Sequence, residues 1–228
     1  MVHSVGRVLS LFKGFETLSI SFESPRIKSD FLFSTVDEIL SKGEQVYYLD
    51  SDLVFSCYLA SRGKFYPKDN FQLYSISKED PLKAIISLLS SLDYSQGGAV
   101  VVDTINSLQM IFTEFEKRGS SSKANHEASI LLTLLQQFSR NQSKTLILSS
   151  IAILHPRTNS KAEWEKDVAG GRMIRRKSEA ILSVTELNQL DSNERKLVQI
   201  SVDAISAESA TQIRQGESFN MQIPPYTL

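Results

Sequence analysis

Gly98-Ala99-Val100-Val101-Val102-Asp103-Thr104-Ile105-Asn106-Ser107-Leu108 is the stretch on which the fold turns. A glycine-flanked run of alanine and valine is the pattern of a strand buried on both faces, and this one ends on a carboxylate. In a parallel α/β sheet, ligands sit outside the carboxyl ends of the strands, which is where Asp103 would stand. An apolar strand that ends in Asp and runs into a small hydroxylated residue is also how a nucleotide-binding sheet presents its magnesium carboxylate. The plainer alternative is a core strand whose last residue caps the next segment.

Working outward, strands and helices alternate. Thr17–Phe22 alternates polar and apolar β-formers and reads as the first strand, ended by Pro25. Phe31, Leu32, Val36, Ile39 and Leu40 form a helical stripe over Asp30–Lys42, closed by Gly43. Gln45–Leu49 is a second strand running into Asp50-Ser51-Asp52, followed by a helix over Leu53–Arg62. Phe71–Ile76 is a strand, and Asp80-Pro81 opens a helix to about Leu92, with proline at the favourable first position. After the Gly98–Asp103 strand come a helix over Ile105–Lys117, a polar loop at 118–125, a helix over His126–Arg140 and a buried strand over Lys144–Ser149. Residues 154–171 are polar, contain Pro156, Gly170 and Gly171, and read as a long exposed loop. Ala180–Leu187, Lys196–Val202 and Phe219–Ile223 then read as strands with no helix between them. The expectation is an α/β domain over residues 1–228: a mixed, mostly parallel sheet flanked by helices and extended by antiparallel C-terminal strands. No separate N-terminal domain is expected.

If Asp103 serves magnesium, the turn after the first strand should be a phosphate cradle of the form G-x-x-x-x-G-K-[ST]. It reads Phe22-Glu23-Ser24-Pro25-Arg26-Ile27-Lys28-Ser29. Lys28-Ser29 fits the last two positions, but Phe22 and Ile27 stand where glycines belong. Wrapping a phosphate in consecutive backbone N–H groups needs dihedrals and close approach that those side chains forbid. Pro25 removes a donor and Glu23 adds negative charge. Asp52, past the second strand, is placed either to orient a water or to cap the helix that follows.

These features resemble the RecA-like recombinase superfamily, most closely the archaeal RadA paralogues and the KaiC-like proteins. Tyr47-Tyr48-Leu49-Asp50-Ser51-Asp52 is similar to a family strand ending in Asp-Thr-Glu, which puts Asp52 at the catalytic glutamate position, one methylene short. Val100 to Leu108 looks like the Walker B strand. Leu146-Ile147-Leu148-Ser149-Ser150 falls where the family strand leads into its second DNA-binding loop, and Ala169-Gly170-Gly171-Arg172-Met173-Ile174-Arg175 looks like the segment closing that loop. The order covers about residues 17–223. The resemblance implies a RecA-like fold with a degenerate Walker A. Lys28, Ser29, Asp52 and Asp103 would then be vestiges of a nucleotide site, with no hydrolysis and at most weak binding of Mg-ATP.

Segment 155–177 carries Arg157, Lys161, Lys166, Arg172, Arg175, Arg176 and Lys177 against Glu163, Glu165 and Asp167. That is a local excess of +4 in a chain of formal net charge −1. Such an excess is the footprint of phosphate contact. Trp164, the one tryptophan, either stacks on a base or packs against the core or a neighbouring subunit. Lys117, Arg118 and Lys123 add cations in the loop after the Asp103 strand, which resembles the family's first DNA loop. The competing reading has Arg172, Arg175 and Arg176 pairing across a protein interface.

Other classes find no support. Cys57 stands alone, and His3, His126 and His155 are far apart, so neither a disulfide framework nor a metal-ligand spacing appears. No leader or membrane-spanning run is visible, and the expected setting is intracellular, cytoplasmic, or nuclear in a eukaryote. The expected function is an ATPase-deficient recombinase paralogue in recombination and repair. Its partners would be single-stranded DNA or recombination intermediates and a recombinase or another RecA-fold paralogue, in a homo- or hetero-oligomer. The alternative is a non-catalytic subunit of a hetero-oligomeric ring, similar to the tRNA-engaging RecA-fold subunits of Elongator.

Overall fold

The structure, a computed structural model, describes residues 2–3, 14–61, 63, 66, 69–76, 81–91, 97–115, 121–156, 164–167, 171–190, 196–206 and 213–223. In chain order these hold β1 (Val2–His3), β2 (Thr17–Phe22), α1 (Pro25–Ser41), β3 (Val46–Asp50), α2 (Val54–Ser61), β4 (Phe71–Ser75), α3 (Pro81–Ser91) and β5 (Ala99–Asp103). There follow α4 (Ile105–Phe115), α5 (Ser121–Asn141), β6 (Thr145–Ile151), β7 (Ile153–Pro156), β8 (Trp164–Asp167), α6 (Gly171–Lys177), β9 (Ala180–Leu190), β10 (Lys196–Ile205) and β11 (Ser218–Ile223). One nine-stranded sheet runs in the order β1-β11-β10-β9-β2-β6-β5-β3-β4, parallel from β9 through β4 and antiparallel at β9-β10-β11. The mixed sheet with its antiparallel end is the one expected.

The central strands are buried on both sides, so alternate residues feed two separate cores. Val46, Tyr48, Ala99, Val101 and Ile147 face one core, with α1 and α2 over it. Tyr47, Leu49, Val100, Val102, Leu146 and Leu148 face the other, under α3, α4 and α5. This is why β5 reads as unbroken valine. Gly98 opens β5 at φ +98°, and a Cβ there would lie 2.0 Å from the Gln45 carbonyl oxygen. That carbonyl already accepts from the Ala99 N–H at 2.9 Å and so is held in place. Gly98→Ala is expected to cost more than about 2 kcal/mol, read as a lower urea midpoint at unchanged m-value.

Three boundaries differ from the sequence reading. α1 starts at Pro25, not Asp30, because Ser24 serves as N-cap, accepting from the Ile27 N–H at 3.3 Å, with proline in the first helical turn. α5 starts at Ser121, so part of the expected polar loop is helix; its first seven residues are too polar to show a stripe. The expected loop at 154–171 instead holds the antiparallel pair β7–β8, with Pro156 opposite Trp164. Among the described residues, no helix is long and apolar enough to cross a membrane.

Candidate functional site

The carboxyl ends of β3 and β5 lie side by side, with Asp50 opposite Asp103 in register. Both carboxylates turn toward the α1 face, as does Tyr48 two residues before Asp50. From α1, Lys28 reaches into this group and is itself fully buried. Its ammonium lies 2.7 Å from Asp52 Oδ2, 2.9 Å from Asp103 Oδ1 and 3.1 Å from Asp103 Oδ2. Asp103 also accepts from the Tyr48 hydroxyl at 2.6 Å and from the Ser149 hydroxyl. Asp52 Oδ1 takes the Val54 N–H at 3.0 Å, so Asp52 caps α2 while its other oxygen holds Lys28. Asp50 Oδ2 accepts from the Ser56 N–H at 2.7 Å and the Ser56 hydroxyl at 2.5 Å, whereas Oδ1 is buried without a hydrogen-bond partner. Ser51 ties β3 to β5 by donating to the Asp103 and Thr104 carbonyls, each at 2.9 Å.

Burial sets the electrostatics. It pushes the Asp103 carboxyl above the usual range, although Lys28 and the two hydroxyl donors pull it back. It raises Asp50 to about 6, with the Ser56 donors offsetting part of the effect. Burial, then the adjacent Asp103 charge, lifts Tyr48 well above the ordinary phenol value, so this hydroxyl stays protonated and donates to Asp103.

A magnesium nucleotide does not fit these residues. The turn joining β2 to α1 has two residues, Glu23 and Ser24. The Glu23 N–H goes to the Val184 carbonyl at 3.2 Å, Pro25 has no N–H, and the Ser24 side chain occupies the Ile27 N–H. Phe22 and Ile27, in the two glycine positions, are packed in the core at 0% and 2% exposure. Ser29 donates back to the Pro25 carbonyl of its own helix at 2.9 Å. Carboxylate oxygens of Asp50, Asp52 and Asp103 lie within 4.8 Å of one another, but the Lys28 ammonium is bonded to two of the three. The lysine that would reach a phosphate is instead the cation of its own carboxylates.

Of the vestigial set, the structure thus joins Lys28, Asp52 and Asp103 and leaves Ser29 outside. Tyr48, Asp50 and Ser149 belong to the cluster and were not singled out from sequence. The signal was present in the i, i+2 spacing of Tyr48 and Asp50 on a strand that pairs with the one bearing Asp103.

The cationic segment is seen in part. Arg175 and Arg176 are exposed on α6, while Ile174 between the turns is buried. Lys177 turns back, its ammonium donating to Thr133 of α5, and burial lowers its pKa. Lys123, Trp164, Lys166 and Arg172 lie on α5, β8 and α6, whose backbone alone is described at those positions; Lys117, Arg118, Arg157 and Lys161 fall outside the described residues. Asn106, also missed in the sequence, clamps the end of β6 before β7. Its amide nitrogen donates to the Ile151 carbonyl at 3.1 Å and its oxygen accepts the Ile151 N–H at 2.9 Å.

This sheet order, with helices on both faces and antiparallel strands at one end, defines a RecA-like fold. Among solved structures the chain is similar to the RadB recombinase, at TM-score 0.64 and 18% identity over 95% of this chain and 93% of that one. It is also similar to a KaiC-like protein from Pyrococcus horikoshii OT3, at TM-score 0.57 and 12% identity over 92% and 89%. No family model matches the chain, and no curated protein is similar to it.

Proposed function

We propose that this RecA-fold protein has lost nucleotide hydrolysis and serves as a nucleic-acid-binding accessory in DNA recombination and repair, partnering a recombinase or another RecA-fold paralogue. One observation carries the reading: Lys28 is fully buried and bonded to Asp52 and Asp103 at 2.7–3.1 Å, beneath a two-residue turn with no phosphate cradle. Contact with DNA is supported by the exposed Arg175 and Arg176 at the end of α6, the helix that follows the β7–β8 pair in the chain. The chemistry is phosphate neutralisation, to which base stacking by Trp164 would add.

Titration of a labelled single-stranded oligonucleotide at two salt concentrations is the test. Affinity should fall steeply with salt, and joint replacement of Arg175 and Arg176 by Ala should shrink the slope of log K against log salt by about two. Calorimetry with Mg-ATP should show no turnover. Salt-insensitive or absent binding removes the DNA role, and a marked preference for tRNA would favour the ring-subunit alternative.

A further inference from the structure

Between β6 and β9 the chain leaves the nine-stranded sheet and carries the β7–β8 pair and α6 before it returns. Both ends of this excursion are tied to helices by side-chain amides. At its start, β6 outruns β5. Their register ends at Val102 opposite Leu148, while β6 continues along β2 as far as Ile151 opposite Phe22. The Ala152 N–H goes to the Phe22 carbonyl at 2.8 Å, so the polar groups of Ile151 point the other way, past the end of β5. Backbone groups in such a place need partners. Asn106, in the first turn of α4, meets both as a strand would, its nitrogen 3.1 Å from the Ile151 carbonyl and its oxygen 2.9 Å from the Ile151 N–H.

At the far end, Gln136 of α5 donates through Nε2 to the Lys177 carbonyl at 3.0 Å, at the C-terminus of α6. The Lys177 ammonium donates to Thr133, one turn before Gln136 on the same face of α5. Arg175 and Arg176, just before this tie, are exposed. Because α4 and α5 pack against each other, the two ties hold both ends of the excursion to one helical pair. A cationic surface held in place before its ligand arrives gives up less conformational freedom on binding.

We propose that Asn106 and Gln136 are positioning residues for nucleic-acid contact, and that Lys177 fastens α6 instead of touching phosphate. The inference rests on the proposed DNA role, and its test separates the two. Labelled single-stranded DNA is titrated at two salt concentrations. Asn106→Ala and Gln136→Ala should each weaken binding about fivefold or more at both, with the slope of log K against log salt unchanged, because neither residue neutralises a phosphate. Lys177→Met should behave likewise, in contrast to the joint replacement of Arg175 and Arg176. Thermal unfolding checks that the variants fold, and amide exchange at Ile151 should quicken in Asn106→Ala. Unchanged exchange there overturns the inference. If the parent binds DNA and both amide variants bind it equally well, the inference falls and the DNA role stands. The same holds if Lys177→Met reduces the slope by about one, since the lysine would then be a phosphate contact. A parent that binds no oligonucleotide removes the DNA role and this inference with it.

Discussion

Lys28→Met should lower the unfolding free energy by about 3–5 kcal/mol, the cost of leaving buried charges without their partner. Asp103 is fully buried and Asp52 partly so, and both carboxylates would lose the ammonium now at 2.7–2.9 Å. Against a typical total of about 5–15 kcal/mol, that is enough to leave part of the chain unfolded at physiological temperature. Equilibrium urea denaturation measures it. The double variant Lys28→Met/Asp103→Asn should recover part of the loss, because Asn stays neutral, its oxygen accepting from one of the two hydroxyls while its amide donates to the other; a double-mutant cycle isolates that coupling. A lysine kept for phosphate would behave differently: solvated without its ligand, its loss would change binding and leave stability within about 0.5 kcal/mol. An effect that small for Lys28→Met would reopen the nucleotide site. The same measurement thus separates a lysine retained for the fold from one retained for chemistry.

Much of this arrangement is legible in the chain because a strand buried on both faces has little freedom in composition. Ala99–Val102 permits hardly any other reading, and Phe22 with Ile27 argues against a phosphate cradle on steric grounds. The antiparallel end followed from strands without intervening helices. The fate of Lys28 was not legible. Lys-Ser after a strand looks the same whether the turn is a wide loop or two residues, and only the Ser24 cap with Pro25 behind it draws the lysine under the helix. Nor could spacing alone show that Asp50 and Asp103 share a register, since that pairing joins strands 53 residues apart in the chain. The β7–β8 hairpin was hidden by its polarity: Trp164-Glu165-Lys166-Asp167 shows no apolar alternation, so a pattern read from hydrophobicity returns a loop.

Stability should fall as pH rises through the acidic range, and Asp50 should be a main cause. Its folded pKa stands near 6 against an ordinary 3.8. Below about pH 4 both folded and unfolded chains hold this proton and it contributes nothing to their difference. Between about 4 and 6 the unfolded chain releases it while the folded chain keeps it, so the unfolded state gains. Above about 6 the full penalty, of order 3 kcal/mol, has been incurred and the contribution is flat. Asp103, shifted in the same direction by burial, adds to the fall, whereas carboxylates stabilised by exposed partners slope the other way. Comparison with Asp50→Asn isolates the one group. The amide oxygen can still accept from Ser56, and no charge forms beside the unpartnered position of Oδ1. Urea midpoints taken near pH 4 and near pH 8 should therefore show the variant gaining about 2–3 kcal/mol on the parent at the higher pH relative to the lower. If the difference between variant and parent is the same at both pH values, Asp50 is ionised in the folded protein as readily as in water. The picture of a dry, closed cluster would then be wrong at the carboxylate that has least to hold it.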